Sequence, residues 1–219
     1  MKSALIISGG KIEKSIAISV LNSNVYDIIV AVDGGLMFAK EIGIVPDVII
    51  GDFDTAGTEL LNQYRDNGSS RIITLNPAKD STDTDEAFDF CIFSGIKKID
   101  VIGGCGDRYD HTLSNFFILK KAYEAGVEAV IHTELSEIFI IKEGYTFHKN
   151  PEYKYYSFIQ FDGPALGVTL KGFKYPLDRF DFDTNKTYRL GVSNEMIEDI
   201  ASITIESGTV IAIVSREDK

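Results

Sequence analysis

Asp52 and Asp54 follow directly on a short apolar run in the stretch Pro46-Asp47-Val48-Ile49-Ile50-Gly51-Asp52-Phe53-Asp54-Thr55. Val48, Ile49 and Ile50 read as a buried strand that closes at Gly51, which puts two carboxylates at a strand tip. Alternation along an extended chain aims both acids the same way and turns Phe53 into the core. Such a pair suits one hard cation. Mg²⁺ fits best, because it takes carboxylate oxygens, keeps several waters and is completed by substrate phosphates. A turn in which either acid caps the next helix would use the same two residues, so the neighbouring strand ends must decide.

Those ends are small, flexible or acidic: Ser8-Gly9-Gly10, Asp33-Gly34-Gly35 and Gly103-Gly104-Cys105-Gly106. Glycines there let backbone amides approach a phosphate, and a following helix N-terminus adds a favourable partial charge. Neither GxGxxG nor GxxxxGK[ST] occurs at these places, so neither a dinucleotide fingerprint nor a P-loop is supported. Further on, Asn76-Pro77 makes a turn before a helix whose apolar stripe is Ala87, Phe88, Cys91 and Ile92, with Thr82 or Asp83 as its cap. Asp85 and Glu86 are explained by the helix dipole. Asp80 and Asp83 come with Lys79, and acids with one lysine at strand tips are what a metal–polyphosphate site needs. Arg108 is a planar donor fork in a glycine-rich turn, a place for phosphate recognition, with His111 beside it and Asp110 able to cap the next helix.

The elements that must hold these residues alternate strand and helix up to about Ile131. Strands are expected over Ala4–Ile7, Asp27–Val32, Val48–Ile50, Arg71–Leu75, Ile99–Ile102 and Val127–Ile131. That pattern predicts an α/β fold: an open, mostly parallel sheet with helices on both faces, its ligand at the carboxyl ends of the strands. Beyond about Leu135 helical period nearly vanishes. Short β-rich runs over Ile138–Ile141, Tyr155–Phe161, Val168–Leu170, Thr187–Leu190, Ile200–Ile205 and Thr209–Val214 predict an all-β sandwich, with Gly191–Glu195 as a polar turn. The expected domains are 1–135 and 136–219, packed together because no low-complexity linker separates them.

Composition bounds the function classes. A formal net charge of −11 argues against nucleic-acid and anionic-membrane partners, which reward basic surfaces. Cys91 and Cys105 are the only cysteines and belong to no CxxC or Cys/His cluster, so both read as buried thiols in a reducing compartment. The N-terminal apolar run turns into glycines, as a first strand does and a signal peptide does not. No apolar run approaches the roughly 20 residues that span a bilayer, and the expected location is cytoplasmic.

Taken together the motifs resemble the thiamine pyrophosphokinase family over most of the chain. The pattern runs through Asp33-Gly34-Gly35, Gly51-Asp52-Phe53-Asp54-Thr55, Lys79-Asp80-Ser81-Thr82-Asp83 and Gly103-Gly104-Cys105-Gly106-Asp107-Arg108-Tyr109-Asp110-His111…Asn115. It continues in Gly163-Pro164…Lys171-Gly172-Phe173-Lys174-Tyr175-Pro176 and Val192-Ser193-Asn194-Glu195. The resemblance implies transfer of pyrophosphate from ATP to thiamine, giving thiamine diphosphate and AMP. It also implies a homodimer with active sites at the subunit interface. By position, Asp52, Asp54 and Asp83 correspond to the Mg²⁺ carboxylates with Asp33 close by, all four catalytic. Gly34, Gly35, Lys79, Asp80, Arg108, Asp110 and His111 correspond to nucleotide contacts, and Ser193 and Asn194 to thiamine contacts.

Three positions depart from the family pattern: no Trp is present to stack on substrate, Asp107 replaces a small residue, and Thr55 replaces a serine. Asp52-Phe53-Asp54-Thr55 also resembles the nucleophile motif of haloacid-dehalogenase-type phosphatases. That motif needs another residue before its threonine and normally ends the first strand, whereas this one ends the third. A nucleotide- or thiamine-binding regulator without turnover is the non-enzymatic alternative.

Overall fold

The computed structural model describes residues 1–53, 58–186 and 191–217, which form two compact units, Met1–Glu134 and Leu135–Lys219. In the first, strands β1 (Ser3–Ile7), β2 (Ile28–Val32), β3 (Val48–Gly51), β4 (Arg71–Thr74), β5 (Lys98–Ile102) and β6 (Glu128–His132) pair in parallel in the order β6-β5-β1-β2-β3-β4. Helices α1 (Lys14–Ser23), α2 (Gly35–Glu41), α3 (Thr58–Asn67), α4 (Asp83–Phe93) and α5 (Tyr109–Glu124) fill the crossovers. Side chains on one sheet face, Leu5, Ile7, Ala31 and Ile49, pack under α1, α2 and α3 through Ala17, Val20, Leu36, Ala39 and Leu61. After β4 the chain returns across the sheet to β5, beside β1. Because such crossovers are right-handed, this change of direction carries α4 and α5 to the other face. The reversal at β1 is a topological switch point, and the turns after β1, β2 and β5 converge there.

The second unit is a sandwich of two antiparallel sheets. One has the order β12-β9-β14-β7, from β7 (Ser136–Ile141), β9 (Tyr155–Gln160), β12 (Gly191–Asn194) and β14 (Val210–Ser215). The other has the order β11-β10-β13-β8, from β8 (Gly144–His148), β10 (Ala165–Lys171), β11 (Leu177–Phe182) and β13 (Ile200–Thr204). Both sheets feed one aromatic core. Phe173 sits 5.9, 5.7 and 5.5 Å, ring centroid to centroid, from Phe147, Tyr156 and Phe158. The α/β and β-sandwich classes are those expected. Strands β8 and β11 were not anticipated, and Gly191–Asn194, read as a turn, is strand β12. The strand expected at Thr187–Leu190 lies outside the described residues. Among the described residues no helix is long and apolar enough to cross a membrane.

Candidate active site

A cleft of about 880 Å³ opens at the switch point, and the strand ends supply its walls. Asp33 stands just past β2, its N–H donating to the Ile50 carbonyl at 3.0 Å, with φ at +42°. Aspartate tolerates that left-handed backbone better than most residues. Gly51 makes room for it, since a β-carbon there would lie 3.3 Å from Asp33 Cα. Asp52 follows β3. Phe53 then takes φ of +64°, so the straight alternation expected from Asp52 to Asp54 is interrupted, although Phe53 does pack against the α2–α3 core cluster. Asp83 opens α4, whose cap is Thr82, accepting from the Asp85 N–H at 3.2 Å. Next to it, buried Thr84 is hydrogen-bonded to Ser8 at 2.9 Å, tying the helix start to the end of β1.

This brings Asp33, Asp52 and Asp83 together: one carboxylate oxygen from each lies within 4.8 Å of the others. Three hard oxygen donors this close fit a divalent cation of the Mg²⁺ type in chemistry and number. Lys79 pairs with Asp83, and both side chains are largely shielded. Across the cleft the two glycine turns are bonded to each other, Gly10 N–H to Gly103 O and Lys11 N–H to Cys105 O, both at 2.9 Å. From α5, Asn115 Nδ2 donates to the Gly104 carbonyl at 2.6 Å and Thr112 Oγ1 accepts from Gly106 N–H at 3.2 Å. These bonds tie the glycine turns on the floor of the cleft to each other and to α5. Cys105 lines it too, but burial pushes its thiol up to about 11, which leaves it protonated and non-nucleophilic at neutral pH.

Of the residues singled out in the sequence, Asp33, Gly34, Asp52, Lys79, Asp83, Arg108 and His111 line this cleft. Arg108 is exposed and held by Asp110 through Nη2–Oδ2 at 2.5 Å and Nε–Oδ1 at 3.3 Å, and this bond keeps the Asp110 carboxyl below the usual carboxylate range. Asp110 is therefore not the cap of α5: Arg108 occupies that position and Asp110 lies in the first turn. Asp80 is exposed and, like Gly35 and Asp110, does not line the cleft. Gly35 is buried against β1 instead. Asp54 lies outside the described residues. In the sandwich, Ser193 is exposed with φ of +56°, while Asn194 is buried. Both ends of its amide are engaged: Oδ1 accepts from the N–H groups of Tyr175 and Glu195 at 3.0 Å, and Nδ2 donates to the Tyr175 carbonyl at 2.9 Å. Sequence reasoning passed over Lys11, a second lysine in the cleft, although it follows a strand-end glycine pair and so carried the same signal as Lys79. Its ammonium lies 3.5 Å from Glu13 and from Glu134, which raise its pKa, Glu134 most.

Two family models match the chain in order, "Thiamin pyrophosphokinase, catalytic domain" over residues 21–131 and "Thiamin pyrophosphokinase, vitamin B1 binding domain" over residues 144–210. A relative from Bacillus subtilis (strain 168), a thiamine pyrophosphokinase by name, is 30% identical over 189 residues, 86% of this chain and 87% of the relative. The crystal structure of thiamine pyrophosphokinase from Bacillus subtilis superposes with a TM-score of 0.87 at 26% identity, covering 99% of this chain and all of that one. That of thiamin pyrophosphokinase from Geobacillus thermodenitrificans gives 0.84 at 25% identity, covering 100% and 99%. With both models matched in order and relatives similar end to end, this chain belongs to the thiamine pyrophosphokinase family, a family of transferases.

Proposed function

We propose that this protein transfers the pyrophosphoryl group of ATP to the hydroxyl of thiamine, releasing AMP and thiamine diphosphate, with Mg²⁺ required. The observation that carries this reading is the meeting of Asp33, Asp52 and Asp83 with Lys79 in one cleft of a family member. The thiamine oxygen attacks the β-phosphorus, the bond from that phosphorus to the oxygen of AMP breaks, and the hydroxyl proton passes to a carboxylate, Asp83 or Asp54. Asp33, Asp52, Asp83 and Asp54 would hold the cation, which when bound neutralises phosphate charge as it shifts to the leaving group. Lys79, Arg108 and His111 orient the triphosphate, while the bonded glycine turns present backbone amides to it. Ser193 offers thiamine an exposed hydroxyl, and Asn194 acts by fixing the backbone of Tyr175, whose ring is exposed. We further propose a homodimer working in the cytoplasm.

The test is an assay for AMP release from ATP and Mg²⁺, with and without thiamine, the products identified by mass. Thiamine-dependent AMP with thiamine diphosphate is expected. Asp83→Asn should lower turnover by at least about 10²-fold, the scale for losing a key electrostatic group. ADP in place of AMP, or release independent of thiamine, would refute the reaction.

A further inference from the structure

The carboxylate cluster already has a cation, and it belongs to the protein. Lys79 and Asp83 are one helical turn apart in sequence, the lysine ammonium rests on Asp83 Oδ1, and each side chain is only 17% exposed. Asp83 contributes to the oxygen cluster shared with Asp33 and Asp52. The cleft's other cations are placed differently. Arg108 is 72% exposed and held by Asp110, and Lys11 is 67% exposed and held by Glu13 and Glu134. Lys79 alone, among the described cleft residues, puts a shielded positive charge on the cluster.

We propose that Lys79 is a placeholder: it neutralises Asp83 until a nucleotide arrives, and yields that carboxylate to a divalent cation when polyphosphate draws its ammonium away. This deepens the metal–polyphosphate reading above and rests on it, adding that cation binding is conditional on nucleotide. An ammonium resting on Asp83 opposes a hard divalent cation on the same carboxylate by charge repulsion. Like charges about 4 Å apart repel by roughly 4 kcal/mol per charge pair at an effective dielectric near 20. Unless the ammonium moves, the cation binds less tightly. Lysine can move, since its charge rides on a flexible four-carbon stem. Incoming phosphates give the ammonium a new partner and add oxygens to the cation's shell. Without them the lysine holds the site, and free divalent cation binds weakly.

The experiment counts free Mn²⁺ by electron paramagnetic resonance against wild type, Lys79→Met, Lys79→Arg and Asp52→Asn, without nucleotide, with melting curves to show that each is folded. Lys79→Met is expected to bind Mn²⁺ about tenfold more tightly than wild type, equivalent to about 1.4 kcal/mol. Lys79→Arg, which keeps the charge, should stay near wild type, and Asp52→Asn should lose the binding. Lys79→Gln takes the place of Lys79→Met if the latter does not fold. If removing the lysine charge leaves Mn²⁺ affinity unchanged or weaker while Asp52→Asn still abolishes binding, the placeholder is overturned and the metal reading stands. If Asp52→Asn leaves Mn²⁺ binding intact, the metal reading itself falls.

Discussion

Gly35→Ala separates a packing role from a ligand role at the edge of the cleft. A β-carbon at Gly35 would lie 2.0 Å from the Ile7 carbonyl oxygen and 2.7 Å from its carbon, both backbone atoms of buried β1. Ordinary contact begins at 3.4 Å, so α2 must withdraw from the sheet by about 1.4 Å. Overpacking of this kind costs about 1–3 kcal/mol, and a backbone-on-backbone clash belongs at the upper end. For a chain of this size each kcal/mol moves Tm by about 2–4 °C, so a drop of roughly 6–12 °C is expected. Asp33 lies two residues upstream and is carried along, and displacement of a reacting group by about 1 Å costs on the order of 10²-fold in rate. The control is Gly43→Ala, left-handed at φ +75° unlike Gly35, with nothing within 4 Å of the new carbon. It should lose about 1–2 kcal/mol from backbone strain and keep full turnover. Circular-dichroism melts and AMP release measure both. A Gly35→Ala protein that melts within about 2 °C of wild type and only raises KM for ATP would refute the packing account and restore Gly35 as a nucleotide contact.

Two further substitutions test other parts of the molecule. Asp100 is 2% exposed within β5, accepting from Tyr26 Oη at 2.8 Å, bonded to His132 Nε2 at 2.9 Å and 3.5 Å from Lys98 Nζ. Burial alone would raise its pKa, but His132, Tyr26 and Lys98 together outweigh it and hold the carboxyl below the usual range. A depressed folded pKa stabilises above the unfolded value of about 3.9 and loses that contribution as pH falls through the folded one. Asp100→Ala should therefore cost about 3 kcal/mol at pH 7, with the gap to wild type narrowing below about pH 4 in urea titrations. A gap independent of pH would disprove the linkage. Asn194→Ala leaves the N–H and carbonyl of Tyr175 and the N–H of Glu195 without their Asn194 partner, at about 2 kcal/mol, and should raise KM for thiamine more than KM for ATP. The opposite order of effects would remove the sandwich from thiamine binding.

Much of this protein is legible in one dimension, because its dominant signals are local. Buried parallel strands such as Val48–Ile50 are runs of branched apolar residues whatever surrounds them. The chemistry of a parallel sheet gathers at strand ends, so Asp33, Asp52, Lys79 and Asp83 can be named before any contact is known. What escaped is decided by neighbours distant in sequence. Strands β8, β11 and β12 are edges of their sheets among the described residues. An edge strand has one partner and needs fewer apolar residues, so Leu177-Asp-Arg-Phe-Asp-Phe182 carries no clear strand pattern. Gly34 and Gly35 are adjacent and chemically identical, yet one lines the cleft while the other is pressed against Ile7, a difference set by how α2 packs on β1. Asn194 has the composition of a ligand contact, but its amide is spent on Tyr175, nineteen residues earlier. Residue type and spacing determined the fold class and the strand ends where the acids stand. Only tertiary packing decided which of those residues face the cleft, because orientation depends on the contacts of the opposite side of the same element.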